Sequence, residues 1–264
     1  MPSELFVDAR AASDTSGAAG RVVFVHGAMD RGTSFSKIRS RLGHCETLAY
    51  DRRGYGRSLE AGPAVSFAGH LDDLEAVVAE RPSVLVGHSY GGNLVLALAD
   101  RRPDVVTATV VFEPPMPWEP WWPDARGGGN TIAVAREHGP TAAAESFMRR
   151  VVGDAVWERL GERTRADRLA EGPALLVDLG DLRAQGCPYD AGRVVAPSII
   201  GCGSRSEPHR RRASVETLLA VGAVRPEFWT IRRAGHGAHS SHPDEFVALV
   251  ERAASRALLW SPPI

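Results

Sequence analysis

The sequence has only one lysine, Lys37, and no excess of charge of either sign. Its 31 basic and 32 acidic residues leave a net charge of −1, so no global field attracts nucleic acid or anionic lipid. We therefore expect neither nucleic acid nor a membrane surface as a partner. The preference for arginine over lysine is attributed to genome composition and not to a binding role.

Cysteines are sparse, and long apolar runs are absent. Cys45, Cys187 and Cys202 form neither a disulfide framework nor a zinc-binding spacing, which fits a reducing compartment. No run approaches the roughly 18 apolar residues needed to cross a bilayer, and the first residues lack a signal-peptide pattern. We expect a cytoplasmic protein. With 44% hydrophobic and 24% charged residues, its 264 residues suffice for a large buried core.

Short apolar runs alternate with helical patterns through the first half of the chain. This alternation is typical of a parallel sheet covered by helices on both faces. The Gly-, Ser- and Ala-rich residues 11–20 form a predicted loop that shortens or removes any earlier strand. The predicted strands are residues 22–25, 47–50, 84–86 and 109–112, followed later by 198–200 and 228–231.

The middle of the chain has a different character. Five prolines and three consecutive glycines fall within residues 114–129, and only helical patterns follow up to residue 183. We predict a doubly wound α/β core, residues 1–115 and 185–264, interrupted by a helical cap over residues 116–184. A final amphipathic helix begins near Pro243.

The segment Gly87-His88-Ser89-Tyr90-Gly91 directly follows a predicted strand and directly precedes a helix. A G-x-S-x-G motif in this context predicts a nucleophile elbow, whose strained turn projects the serine hydroxyl from the sheet edge. The turn is so tight that the residues two before and two after the serine must lack bulk. A chance Gly-Ser-Gly turn is the alternative, and the strand-helix context argues against it.

His26-Gly27-Ala28 ends the first long predicted strand. We predict an oxyanion hole made by the backbone N–H groups of Ala28 and Tyr90, which would stabilise a tetrahedral intermediate. His26 itself is interpreted as structural. The glycine-rich residues 51–58 lack the lysine and hydroxyl residue of a phosphate loop, so they are interpreted as a tight turn held by Asp and Arg side chains.

An ordered set of motifs resembles the α/β-hydrolase superfamily: His26-Gly27, residues 51–58 and 87–91, and Gly235-His236 followed by Pro243. The resemblance covers nearly the whole chain except the predicted cap, which lies where this superfamily carries its cap or lid. It implies that Ser89 is the nucleophile and His236 the general base. Serine at the nucleophile position argues against the related haloalkane dehalogenases and epoxide hydrolases, which use Asp there.

The acid of the implied triad departs from the superfamily pattern. Its usual position holds Ser206, which cannot stabilise an imidazolium by charge. Glu207 is adjacent, and Glu113 ends the strand before the cap, where some branches of the superfamily carry the acid. Both keep the chain order serine, acid, histidine. We favour Glu113 because triads are defined by geometry. The alternative is a carboxylate that only holds the proline-rich turn.

Three histidines, His236, His239 and His242, are spaced three residues apart, which could suggest a metal site. No cysteine or acidic ligand set accompanies them, so we predict neither a metal nor an organic cofactor. His239 and His242 are expected at the surface or beside the site.

Three tryptophans, Trp118, Trp121 and Trp122, cluster at the start of the predicted cap. They suggest an apolar substrate pocket for acyl or aromatic groups. Ordinary packing of the cap is the alternative, because tryptophan buries a large area in any core.

The predicted reaction is hydrolysis of a carboxylic ester or lactone of a small, apolar or aromatic substrate through an acyl-enzyme. We expect a monomer or homodimer. A thioesterase, amidase or C–C bond hydrolase would use the same residues. A non-catalytic ligand receptor and a cofactor-independent oxygenase are the rivals from other classes, and Ser206 slightly favours the receptor.

Overall fold

A single seven-stranded sheet forms the centre of the computed structural model, which describes residues 4–13, 20–63, 66–124 and 130–261. The strand order is β1-β3-β2-β4-β5-β6-β7, and only the β1–β3 pair is antiparallel in this described part of the chain. The strands are β1 (Val7–Arg10), β2 (Arg21–Val25), β3 (Glu46–Tyr50), β4 (Ser83–His88), β5 (Val106–Phe112), β6 (Ser198–Gly203) and β7 (Glu227–Ile231).

The described residues also contain ten α-helices, which cover the sheet and form the insertion. The doubly wound, mostly parallel architecture predicted from the sequence is confirmed. The helices are α1 (Ser36–Arg39), α2 (Phe67–Val78), α3 (Tyr90–Arg101), α4 (Asn130–Val152), α5 (Asp154–Arg159), α6 (Glu162–Ala170), α7 (Gly172–Gln185), α8 (Pro208–Ala220), α9 (Ala238–Ser241) and α10 (Pro243–Ala257). No helix among the described residues is long and apolar enough to cross a membrane.

Alternation along the strands divides the core into two layers. Val23 and Val25 of β2 pack on one face with the buried residues of α2 and α3. Val22 and Phe24 point to the other face, where α1 and α10 cover them. Because neighbouring strands repeat this alternation, both faces of the sheet are dry. Buried strands of this kind leave function to the loops at their carboxyl ends.

The edge strand β1 is the element that the sequence did not predict. It pairs antiparallel with β3, from Val7 opposite Tyr50 to Arg10 opposite Thr47. Three of its four residues are exposed and one is half-buried, so it carries no apolar run or clear alternation. Part of the predicted loop after it, residues 14–19, lies outside the described residues.

Four helices, α4 to α7, occupy the interval between β5 and β6. Helix α4 bends at Gly139, where φ is 83°, directly before Pro140. A small apolar cluster joins these helices to the loops after β2 and β3, and it includes Met29, Tyr55 and Trp157. The helices therefore lie above the carboxyl ends of the central strands.

A buried ion pair fastens α7 to the core. Arg52 and Asp178 have no exposed side-chain surface, and two hydrogen bonds of 2.6 and 3.1 Å join them. The hydroxyl of Tyr55 donates a third bond to Asp178, at 2.7 Å. Arg52 also donates to the carbonyl oxygens of His26 and Gly27, each at 3.1 Å. One side chain thus connects α7 to the loop after β2.

Replacing Arg52 by methionine should lower the free energy of unfolding by about 3–5 kcal/mol, because the Asp178 carboxylate stays buried without its cation. The melting temperature should fall by roughly 6–20 °C. Arg53→Met is the control, since its ion pair with Asp73 is partly exposed and should contribute about 1 kcal/mol or less. Urea denaturation measures both, and equal losses in the two variants would contradict this role for Arg52.

Candidate active site

Ser89 lies at the tight turn between β4 and α3. Its backbone φ of 55° and ψ of −125° are strained for a residue with a side chain. A β-carbon at Gly87 would lie 2.4 Å from the carbonyl oxygen of Gly91, and one at Gly91 would lie 2.2 Å from that of Val25. Only glycine fits at either position, which explains the spacing of the motif around Ser89.

Glu113 directly follows β5 and its side chain is fully buried. One carboxylate oxygen, Oε1, accepts a hydrogen bond from the backbone N–H of Gly203 at 2.7 Å. The other, Oε2, accepts one from Nδ1 of His236, also at 2.7 Å. The structure therefore brings Glu113 and His236 together in the arrangement that the sequence suggested.

The other acid weighed from the sequence lies elsewhere. The carboxylate of Glu207 accepts a hydrogen bond from Nε of Arg210 at 3.2 Å. Ser206 is buried, and its hydroxyl has no hydrogen-bond partner among the described residues. The carboxylate that faces the histidine comes from β5 and not from the loop after β6.

His236 lies in the loop between β7 and α9. Burial lowers the pKa of His236 well below its usual range, and the neighbouring Arg210 and His239 add to this effect. The imidazole is therefore neutral at physiological pH. Since Nδ1–H donates to Glu113, the lone pair is on Nε2. Among the described residues, the Ser89 hydroxyl makes no hydrogen bond, a common state for such a pair without substrate.

Backbone amides beside Ser89 are oriented by the residues after β2. A β-carbon at Gly27 would lie 2.9 Å from that of Ser89, so the two segments touch. Nδ1 of His26 and the guanidinium of Arg52 both donate to the Gly27 carbonyl, at 2.7 and 3.1 Å. Because the C=O and N–H of one peptide point in opposite directions, these bonds aim the Ala28 N–H away from them.

The two predicted oxyanion donors remain free. Neither the Ala28 N–H nor the Tyr90 N–H finds an acceptor within the described parts of the chain. Tyr90 is the first residue of α3, where the N–H groups have no partner inside the helix and the helix dipole favours an anion. His26 has a structural role: burial and Arg52 lower its pKa to about 4, and its Nε2 accepts the Arg52 N–H at 2.8 Å.

The three regularly spaced histidines do not converge. His242 bonds Ser241, whereas His239 lies 3.2 Å from Oδ2 of Asp30. Asp30, His239 and His88 are the set of described residues whose ligand atoms could meet at a metal ion, within 4.8 Å of one another. The rings of His88 and His239 are tilted by 40° to each other, with centroids 4.1 Å apart. This ring contact and the Asp30–His239 ion pair hold the three side chains together.

A cavity of about 430 Å³ opens above Ser89 and His236, a volume ordinary for a small-molecule site. Its apolar wall comes mostly from the helical insertion. This wall includes Trp122, Phe147, Met148, Leu179 and Leu182.

Of the three predicted pocket tryptophans, only Trp122 lines this cavity. Trp118 lines a separate depression with Tyr189, and Trp121 lies against the guanidinium of Arg212. The structure does not bring Trp118 or Trp121 to Ser89; both pack against an apolar cluster that contains Trp122.

Charged residues of the cavity wall were not identified from the sequence. Arg150, Arg168 and Arg210 all line it. Arg210 belongs to a run of three arginines, and nothing in that run marks which side chain faces inward. Its contact with His236 is visible only once β7 and α8 are placed side by side.

Comparison with known proteins identifies the family of this chain. The model of the alpha/beta hydrolase family matches residues 22–249. The chain belongs to the alpha/beta hydrolase family. Within this family it is 36% identical to Lipase LipV of Mycobacterium tuberculosis over 97 residues, which is 36% of this chain and 37% of that protein. The chain thus spans about a third of the length of the first curated relatives it matches.

Longer matches within the alpha/beta hydrolase family are more distant. A monoacylglycerol lipase of Mycolicibacterium smegmatis is 27% identical over 219 residues, or 76% of this chain and 68% of that protein. Among solved structures, a bromoperoxidase from Bacillus anthracis superposes with a TM-score of 0.73 and 18% identity, covering 95% of both chains. At that identity the likeness shows the fold alone.

Proposed function

We propose that this chain is a serine hydrolase that cleaves carboxylic ester-like bonds through an acyl-enzyme. The observation that carries the proposal is the 2.7 Å bond from His236 to the buried Glu113. This pair lies beside a serine in strained elbow geometry, under a largely apolar cavity. The lipases among the relatives agree with this class of reaction.

The first half-reaction follows from these positions. Nε2 of His236 takes the hydroxyl proton of Ser89 while Oγ forms a bond to the substrate carbonyl carbon. The carbonyl oxygen becomes an oxyanion, which the N–H groups of Ala28 and Tyr90 stabilise. The carbon–oxygen bond to the leaving group then breaks, and the leaving group takes the proton from Nε2.

Water completes the cycle. It gives a proton to Nε2 and attacks the acyl carbon, and the second tetrahedral intermediate collapses with return of that proton to Ser89. Glu113 keeps the imidazole oriented and compensates its positive charge in both halves. The nucleophile, the base, the acid and the two amides all belong to this one site.

An activity screen tests the proposal. We expect hydrolysis of p-nitrophenyl esters, and a graded series from acetate to laurate, with lactones and thioesters beside it, identifies the bond that is cleaved. Inactivity toward all of them, together with no reaction of Ser89 with a fluorophosphonate, would remove the proposed function.

Replacing Trp122 by alanine should raise KM for p-nitrophenyl octanoate about tenfold relative to acetate, because a longer acyl chain loses a wall of the cavity. Trp118→Ala is the matched control. Trp118 lines a different depression, so its loss should lower stability without changing the chain-length preference. If the two variants shift the preference equally, Trp122 contributes only packing.

A further inference from the structure

The lone pair of His236 already has a partner. NH1 of Arg210 lies 3.2 Å from Nε2, the nitrogen that must take the serine proton in the proposed reaction. Nδ1 of the same ring donates to Glu113, so Nε2 can only accept here. A guanidinium therefore occupies the position from which the base has to act.

Arg210 makes few hydrogen bonds for a cation in a cavity wall. Nε donates to Glu207 at 3.2 Å, and the Glu207 side chain is 43% exposed. The remaining terminal nitrogen, NH2, makes no hydrogen bond to any of the described residues. A guanidinium offers five N–H donors in a planar fork that matches a carboxylate, so most of this capacity is unused.

Arg150 supplies a second guanidinium to the same cavity from α4. Its nearest ring is Phe147, at 5.0 Å from the guanidinium carbon, and no carboxylate of the described chain lies within 4.0 Å of it. Burial lowers the pKa of Arg150, the charge of Arg210 lowers it further, and the charge of Glu207 acts in the opposite direction without cancelling them. Two cations that repel each other across one cavity are stabilised by an anion between them.

The third arginine of the wall is bound on two sides. Arg168 pairs with the buried carboxylate of Glu171 at 3.1 Å and donates to the carbonyl oxygen of Met29. Arg210 pairs only with the partly exposed Glu207, and Arg150 has no carboxylate within 4.0 Å among the described residues, so one carboxylate serves the two guanidinium groups on that side of the cavity.

We propose that the substrate carries a carboxylate, which Arg210 and Arg150 bind while its ester carbonyl lies at Ser89. This inference rests on the proposed function and names its substrate class: monoesters of short dicarboxylic acids, or esters with a carboxylate in a similar position. Because Arg210 already reaches Nε2 of the base, a carboxylate bound to it at about 2.7–2.9 Å lies close to the scissile carbonyl, and we take roughly two to four carbons as the separation.

Substrate binding then has a second effect. A carboxylate is a better acceptor for a guanidinium than a neutral imidazole nitrogen, because it adds the attraction of opposite charges and fits the guanidinium with two oxygens, so it draws Arg210 away from Nε2. The released lone pair can take the Ser89 proton. A neutral ester lacks this effect and meets a base that is still occupied.

Two esters of equal length test the inference: mono-p-nitrophenyl glutarate and p-nitrophenyl pentanoate, which differ by a terminal carboxylate in place of a methyl group. After subtraction of the uncatalysed rates, the wild-type kcat/KM should be about 10²-fold higher for the glutarate ester. Arg210→Met should reduce this ratio about 100-fold, partly by raising the rate on the pentanoate ester. Arg150→Met should reduce it about tenfold, mainly through KM.

Arg211→Met is the control, because Arg211 is on the same helix but exposed and outside the cavity wall. Its ratio should equal that of the wild type. Equal rates on the two esters, or an unchanged ratio in Arg210→Met, would overturn the inference and leave the proposed function standing. No hydrolysis of either ester, with Ser89 unreactive toward a fluorophosphonate, would overturn both.

Discussion

Ser89→Ala should lower kcat for a p-nitrophenyl ester by about 10⁵–10⁶, leaving a rate on the order of 10³ over the uncatalysed reaction. The residual rate comes from the Ala28 and Tyr90 amides and from binding, which the substitution leaves in place. The melting temperature should stay within a few degrees, since a single hydroxyl with no hydrogen bond to the described residues is lost. Steady-state kinetics and thermal unfolding measure the two quantities.

Ser240→Ala is the matched control for this variant. Ser240 lines the same cavity from α9, but it has no place in the proposed proton transfer. It should keep kcat within a factor of about three. If kcat fell by similar factors in both variants, loss of any hydroxyl group from the cavity would lower activity, and Ser89 would not be the nucleophile.

Glu113→Gln should lower kcat by about 10²–10⁴ with little change in KM. The carboxylate accepts from Gly203 with one oxygen and from His236 with the other. Glutamine has one oxygen and one NH2 group, so it cannot accept both bonds. If the NH2 faces His236, it selects the tautomer with hydrogen on Nε2, which cannot take the proton of Ser89.

The other orientation of the introduced amide is also costly. If its NH2 group faced the backbone N–H of Gly203, two buried donors would oppose each other. Either way the charge that compensates the imidazolium is lost. Glu207→Gln is the comparison, with an expected cost under about tenfold, because Glu207 bonds Arg210 and not His236. If Glu207→Gln lost activity while Glu113→Gln kept it, the acid would be Glu207, in the loop after β6.

Local sequence patterns were enough to predict strands β2 to β7 and the elbow at Ser89. The apolar runs of β2 to β6 are buried in the interior of the sheet, so composition and position agree there. The elbow glycines are required by contacts of a few residues, which makes Gly87–Gly91 readable without tertiary information. β1 lacked such a signal because it is an exposed edge strand whose partner is distant in sequence.

The pairing of Glu113 with His236 needed a geometric argument. The two residues are 123 positions apart, and the position after β6 where the superfamily usually carries the acid holds Ser206. What joins them is the order of the sheet, in which β5 and β6 are neighbours and Gly203 holds the carboxylate between them. The sequence could suggest an acid at the end of β5. Only the register of the strands shows that the side chain of Glu113 faces the ring of His236.

The cavity wall was the least predictable part. Clustering in sequence suggested that Trp118, Trp121 and Trp122 line the pocket together, yet all three pack in one apolar cluster and only Trp122 also faces the cavity. The sequence did not distinguish Arg210 from its neighbours either. Which side of α8 faces the cavity depends on how the helix packs against β6, and its three consecutive arginines carry no periodicity.

Covalent labelling tests most directly whether Ser89 is a nucleophile activated by His236 and Glu113. The protein is treated with a fluorophosphonate, and the modified peptide is located by mass spectrometry. We expect one adduct, on Ser89, that is absent in Ser89→Ala and forms at least about 100-fold more slowly in Glu113→Gln. An adduct on another residue, or labelling at an unchanged rate in Glu113→Gln, would contradict it.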